Sequence, residues 1–106
     1  MELKHTPGPW RAGSGTGGKG SVVSDQLAAG ALSGSDAVEY YGGNLIAESV
    51  AQENIPLIAA APALLDVVIM VRDADDDCGR ENLPRIPAAA RAAIDAVIAK
   101  ATGGAA

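Results

Sequence analysis

The segment Gly13–Ser21 reads GSGTGGKGS, and from Gly13 to Lys19 it fits the G-x-x-x-x-G-K spacing of a phosphate-binding loop. That chemistry needs a buried strand before the loop and a helix after it. It also needs a Ser or Thr following the Lys to hold magnesium. Here Gly20 follows Lys19, and the next residues, Ser21–Ser24 (SVVS), are β-formers. The segment therefore reads as a glycine-rich hairpin loop, with Lys19 available to meet an anion.

Four other groups of residues invite a chemical reading. Asp73, Asp75 and Asp77 in DADDDCGRENLP have the spacing of an EF-hand's first ligands. Position six of such a loop needs Gly and holds Cys78, and position twelve needs Glu and holds Pro84. A solvated acidic turn is the better description, with a weak cation site as the alternative. His5 and Cys78 are the sole members of their types, so no multi-His metal site and no spare parts for a His-based triad exist. Acidic neighbours make Cys78 a poor nucleophile. Asp66, Asp73 and Asp95 fall at helical, solvent-facing positions, with nothing pairing them for acid–base work. The reading is a non-enzymatic protein without metal or cofactor. Asn54 precedes Pro56 and an apolar run, where its side-chain oxygen would cap a helix. The same geometry offers free N–H groups to a phosphate.

The elements that would position these groups differ between the two halves. Short β-like pieces, Pro9–Ala12, Ser21–Ser24, Ala37–Tyr41 and Asn44–Ser49, are separated by Gly and Ser, as in a small antiparallel sheet. The strand around Leu45 is the best supported, because Gly42-Gly43-Asn44 forms a turn before it. Residues 25–36 read as a long mobile loop. From residue 54 to 74 a broad apolar face predicts a helix, which Pro62 should kink or restart. A loop follows, then a second helix over 86–102, with Pro87 in its first turn and Gly103-Gly104 stopping it. The fold class is α+β: a β-rich segment over 1–50 and then a two-helix hairpin, as a single domain.

Composition narrows the function further. Of the 106 residues 48% are hydrophobic, but many are Ala, and there is no Phe, one Trp and two Tyr. Such a chain buries little area per residue, so a homo-oligomer is expected, with Leu64, Leu65, Val68, Ile94, Val97 and Ile98 in the core. A net charge of −5 opposes nucleic-acid binding, which needs Lys and Arg to displace counterions. One Cys excludes an internal disulfide and a Cys-rich zinc site. No signal-peptide pattern is read, and no 18-residue apolar stretch is read as a bilayer span. A soluble protein of the bacterial cytoplasm, without a membrane partner, is expected.

Three segments carry a resemblance. His5–Trp10 (HTPGPW) resembles the opening of a widespread group of small phage and prophage proteins. In that group a G-x-x-I-A-like strand and an ANARLIAAAPxLL-like segment follow. Here Gly43–Ala47 (GNLIA) and Gln52–Leu65 (QENIPLIAAAPALL) stand in the same order, departing from the pattern at Ile55-Pro56. The layout is similar to that of the phage anti-Thoeris sponges, which sequester cyclic ADP-ribose-type signals in pockets shared between protomers. Their relatives take up cyclic oligonucleotides.

The resemblance implies a binding protein that holds a cyclic nucleotide-type small molecule without cleaving it. Such a site needs an aromatic face and phosphate donors. Trp10, Arg11, Tyr40, Asn54 and Arg72 are the candidate ligand-binding residues, with Tyr41 and Lys19 as further ring and charge. Net acidity opposes a phosphate ligand at long range, though local donors can outweigh it. Two alternatives stand beside this reading. One is an anti-defence protein that covers the surface of a host protein. The other is a structural or regulatory phage protein with no ligand.

Overall fold

The computed structural model describes residues 5–15, 17, 19–25 and 35–104. It divides the chain into two compact units, one ending at Ala63 and the other beginning at Leu64. The first unit is built on an antiparallel sheet of three strands in sequence order: β1 (Trp10–Ala12), β2 (Val22–Ser24) and β3 (Asn44–Ala47). Arg11 lies opposite Val23 and Val23 opposite Leu45, and a bulge falls between Val22 and Val23. The central strand holds the core of this unit. Val22 and Val23 point to opposite faces, and both are fully buried, as are Ser21 and Ser24. Burial of Ser24 is tolerated because its hydroxyl donates to the Pro7 carbonyl at 2.8 Å.

The Gly13–Ser21 loop joins β1 to β2 as a hairpin, and Gly13 N–H donates to Ser21 O at 3.0 Å. The expected strand over Ala37–Tyr41 is instead part of a short helix, α1 (Ser35–Tyr41). Its alternating apolar residues suggested a strand, but Gly42 at φ 81° closes a helix end here. The N–H groups of Gly42 and Gly43 both reach the Val38 carbonyl. The expected mobile loop over 25–36 lies mostly outside the described residues, and Ser35 and Asp36 belong to α1.

A single 3-10 turn, Gln52–Asn54, leads into α2 (Ile55–Arg80). This helix is longer than the sequence reading and passes through Pro62 without restarting. The Pro62 ring is buried, and its Cβ lies so close to Gly8 that a side chain there would meet it at 2.9 Å. The tertiary environment thus accommodates a residue that helix propensity alone disfavours. Asp73–Asp77 are consequently helical rather than a loop, which removes the EF-hand comparison.

The helix ends at Arg80 and is stopped by Asn82, whose φ of 58° lets Leu83 N–H donate back to Cys78 O at 2.8 Å. This is a left-handed C-terminal stop with Asn in the position Gly usually takes. The second unit is completed by α3 (Ala88–Ala101), with Pro87 at its N-cap and Gly103, at φ 75°, beyond its end. Of the expected core residues Ile98 is buried and Leu65, Val68 and Ile94 are half-buried, whereas Leu64 and Val97 are exposed.

One expectation about α2 is overturned by its composition. The segment Gln52–Arg80 contains an 18-residue window of mean hydropathy 2.0, so it is long and apolar enough to cross a membrane. Asp66 is the sole charged residue between Asn54 and Val71.

Candidate functional site

In the first unit the glycine loop packs on the C-terminal end of α1. Ser14 N–H donates to Tyr41 O at 3.1 Å, and Gly17 N–H donates to Tyr40 O at 2.6 Å. These are the backbone donors a phosphate cradle would need, and here they are satisfied by peptide carbonyls. The loop is thus an internal fastening. Tyr40 lies over Gly17 so closely that any Cβ on Gly17 would collide with its ring, yet half of Tyr40 remains exposed. Tyr41 stands edge-on to Tyr40, with ring centroids 4.9 Å apart, and its hydroxyl donates to Glu48 Oε2 at 2.7 Å. That hydrogen bond to a carboxylate raises the Tyr41 pKa above its usual value of 10.0.

Arg11 is held by two partners. Its Nη2 donates to Asp25 Oδ1 at 2.7 Å and to Gly42 O at 2.6 Å. The hydrogen bond from Arg11 lowers the Asp25 pKa. Trp10 is half-buried, and its indole N–H donates to Thr6 O at 3.1 Å. His5 sits at its edge, with centroids 6.1 Å apart and a buried Nε2 that has no hydrogen-bond partner.

The second unit carries a dense ionic cluster that sequence reasoning missed. Asp75 has a side chain only 1% exposed. Its Oδ2 accepts from Arg85 Nη2 at 2.7 Å and from Arg91 Nη1 at 2.8 Å, while Oδ1 accepts the Ile86 backbone N–H at 3.0 Å. Arg91 also donates to Asp76 at 2.6 Å and, through Nε, to Asp95 at 3.0 Å. A hollow of about 420 Å³ is lined by Asp75, Arg85, Ile86, Arg91 and Asp95.

The electrostatics follow from these contacts. Hydrogen bonds from Arg85 and then Arg91 drive the Asp75 pKa far below the usual carboxylate range, outweighing the opposite effect of burial. Arg91 is held charged chiefly by Asp76, with Asp75 and Asp95 adding to it. Three carboxylates around two guanidiniums leave no surplus positive charge for an anion, so the cluster clamps α3 to the end of α2. One cue was legible: Arg91 and Asp95 are spaced i,i+4 on one helix face. The pairing of Asp75 with residues beyond the turn was not, because the acidic run reads as a turn that begins before Asp75.

The sequence-derived candidates are therefore distributed. Trp10, Arg11, Tyr40 and Asn54 belong to the first unit and Arg72 to the second. Arg72 is occupied by its neighbour Asp73, with Nε donating at 3.1 Å. Asn54 is exposed and ends the 3-10 turn, its N–H donating to Ala51 O at 2.9 Å. No hydrogen bond from its side chain occurs among the described residues, so it does not act as the expected N-cap. The chain enters α2 already helical, which removes the extended geometry a cap requires. Asn54→Ala should accordingly change stability by less than about 0.5 kcal/mol, the range of an ordinary surface substitution. A urea titration showing a loss above about 1 kcal/mol would restore the cap.

The sheet, the loop fastened to α1 and the two helices joined by the ionic cluster define a small α+β protein. Its most developed polar cluster holds its own helices together. The chain belongs to the phage family described as Salmonella phage P22 protein Y8K6, whose model matches residues 1–105. No curated protein and no solved structure matches it.

Proposed function

We propose that this phage protein acts by binding rather than catalysis. In this reading it is an anti-defence accessory protein that sequesters a nucleotide-derived signal, of the cyclic ADP-ribose or cyclic oligonucleotide type, in the host cytoplasm. It would work as a homo-oligomer, without a cofactor. The observation that supports this reading is Tyr40, a half-exposed ring resting on the glycine loop that also carries the exposed Lys19. A ring and a cation on one loop are the parts needed to stack a base and meet a phosphate. Arg11 and Arg72 would each exchange an acidic partner for the ligand, which lowers the net gain.

The test is calorimetry with cyclic ADP-ribose isomers and cyclic di- and trinucleotides, followed by heat denaturation and recovery of the ligand. One of these compounds should bind and be released intact. Tyr40→Ala should then cost about 1–3 kcal/mol of affinity while leaving the fold unchanged. Absence of binding at about 100 micromolar, where even weak specific ligands register, would remove this reading.

A second reading, inhibition of a host protein by surface contact, is favoured by the exposed apolar residues of α2, among them Leu57 and Met70. Co-purification of one host protein at fixed stoichiometry would support it.

A further inference from the structure

The ionic cluster at the end of α2 has more hydrogen-bonding capacity than it uses. Guanidinium groups carry N–H donors on all three nitrogens, and both oxygens of a carboxylate accept. Arg91 donates through Nε to Asp95 and through Nη1 to Asp75 and Asp76, while its Nη2 makes no hydrogen bond among the described residues. Arg85 donates through Nη2 alone. Asp75 accepts three hydrogen bonds, but Asp95 accepts only at Oδ1 and its side chain is 52% exposed. Arg91 and Asp95 stand one turn apart on α3, and the 3.0 Å bond between them brings an unused donor beside an unused acceptor. Both residues line the open hollow of about 420 Å³, whose apolar wall is Ile86, Ala88 and Ala92.

Charge decides what this hollow can take. An anion finds no surplus positive charge, because three carboxylates surround the two guanidiniums. A simple cation meets Arg85 and Arg91 at the same opening. A zwitterion satisfies both signs at once.

We propose that the hollow is a binding site for a free α-amino acid with an apolar side chain. Its carboxylate accepts from Arg91 Nη2, beside the charge of Arg85, and its ammonium group donates to Asp95 Oδ2. The two charges of an α-amino acid sit on one carbon, as close together as the donor and acceptor of this ion pair. The side chain packs on Ile86, Ala88 and Ala92, and the volume is that of a small-molecule site. Asp95 is half in water, so the affinity is modest, with a Kd of roughly 1 mM. All of these residues belong to the second unit, and no nucleotide is involved, so the site stands or falls apart from the reading above.

The test is nitrogen-15 NMR of the full chain, titrated with L-leucine, its methyl ester and 4-methylpentanoate. The ester lacks the carboxylate, and 4-methylpentanoate lacks the ammonium group. L-Leucine should shift the Ile86, Ala88 and Ala92 amides to saturation, and the two half-ligands should not. Asp95→Asn should weaken binding at least about 10-fold, with circular dichroism unchanged because the side chain is exposed. Ala92→Leu, which fills the hollow and leaves every ion pair intact, should abolish the same shifts. Absence of saturable shifts up to about 20 mM L-leucine, well above that Kd, overturns the site. An equal response to the ester or to 4-methylpentanoate overturns the zwitterion. Undiminished binding in either variant overturns the placement beside Arg91 and Asp95.

Discussion

Asp75→Asn should lower the melting temperature by about 5–10 °C, a large shift for a chain of this length. The substitution keeps the shape of the side chain and removes the charge that three donors converge upon. Arg85 is left with Asp76 at 3.6 Å, and Arg91 with Asp76 and Asp95. The new amide group would also present donors where two guanidiniums already point. Asp73→Asn is the matched control, because Asp73 pairs with the adjacent Arg72 at an exposed position and should change stability by less than about 0.5 kcal/mol.

The same carboxylate sets the acid limit of the fold. Its pKa is lower in the folded protein than the ordinary 3.8, so its stabilising contribution is complete above that value. As pH falls below about 4, the unfolded chain takes up a proton that the folded one resists, and stability declines. Asp76 and Asp25 are shifted in the same direction and add to the decline. Melting curves at descending pH should therefore be flat near neutrality and fall below about pH 4, with a shallower fall in Asp75→Asn. An equal slope in the two proteins would remove Asp75 as the acid-sensitive group.

Gly15→Ala should cost about 3 kcal/mol or more, at the upper end for forcing atoms into occupied space. A Cβ on Gly15 would fall on the backbone carbonyls of Glu39 and Tyr40 at the end of α1. Backbone cannot swing aside as a flexible side chain can, so the loop would have to detach. That detachment breaks the hydrogen bonds from Ser14 and Gly17 to the same helix end. The readout is amide exchange, where Ser14 and Gly17 should lose protection while the α3 amides keep theirs. Unchanged protection at Gly17 would mean that the loop tolerates the methyl group.

Much of this architecture was legible in the residues. The alternation and turn chemistry around Val22 and Leu45 pointed to strands, and Gly103-Gly104 to the end of α3. The two helices that follow the sheet were legible from apolar periodicity. The exceptions have identifiable causes. Ala37–Tyr41 carries strand-like residues, and its helical state rests on Gly42 and on contacts with a loop far away in sequence. The end of α2 was misplaced because five acids and a Cys read as a loop, whereas the stop is an Asn in a left-handed conformation. Asp75 could not be found before that stop was placed, since its partners lie beyond it. For the ligand candidates, sequence reasoning named groups able to stack or donate. It could not show that Arg11 and Arg72 already hold carboxylates.

The close approach of Gly8 to Pro62 has a consequence for the order in which the chain folds. It joins two points separated by about fifty residues, and nothing rewards that closure until the sheet between them has formed. The clamp of the second unit, by contrast, closes across only 16 residues from Asp75 to Arg91. Local closure is fast and distant closure slow, so the α2–α3 clamp should form early and the seating of Pro62 on Gly8 should complete late. Synthesis reinforces the delay, because Gly8 leaves the ribosome long before the proline it must meet.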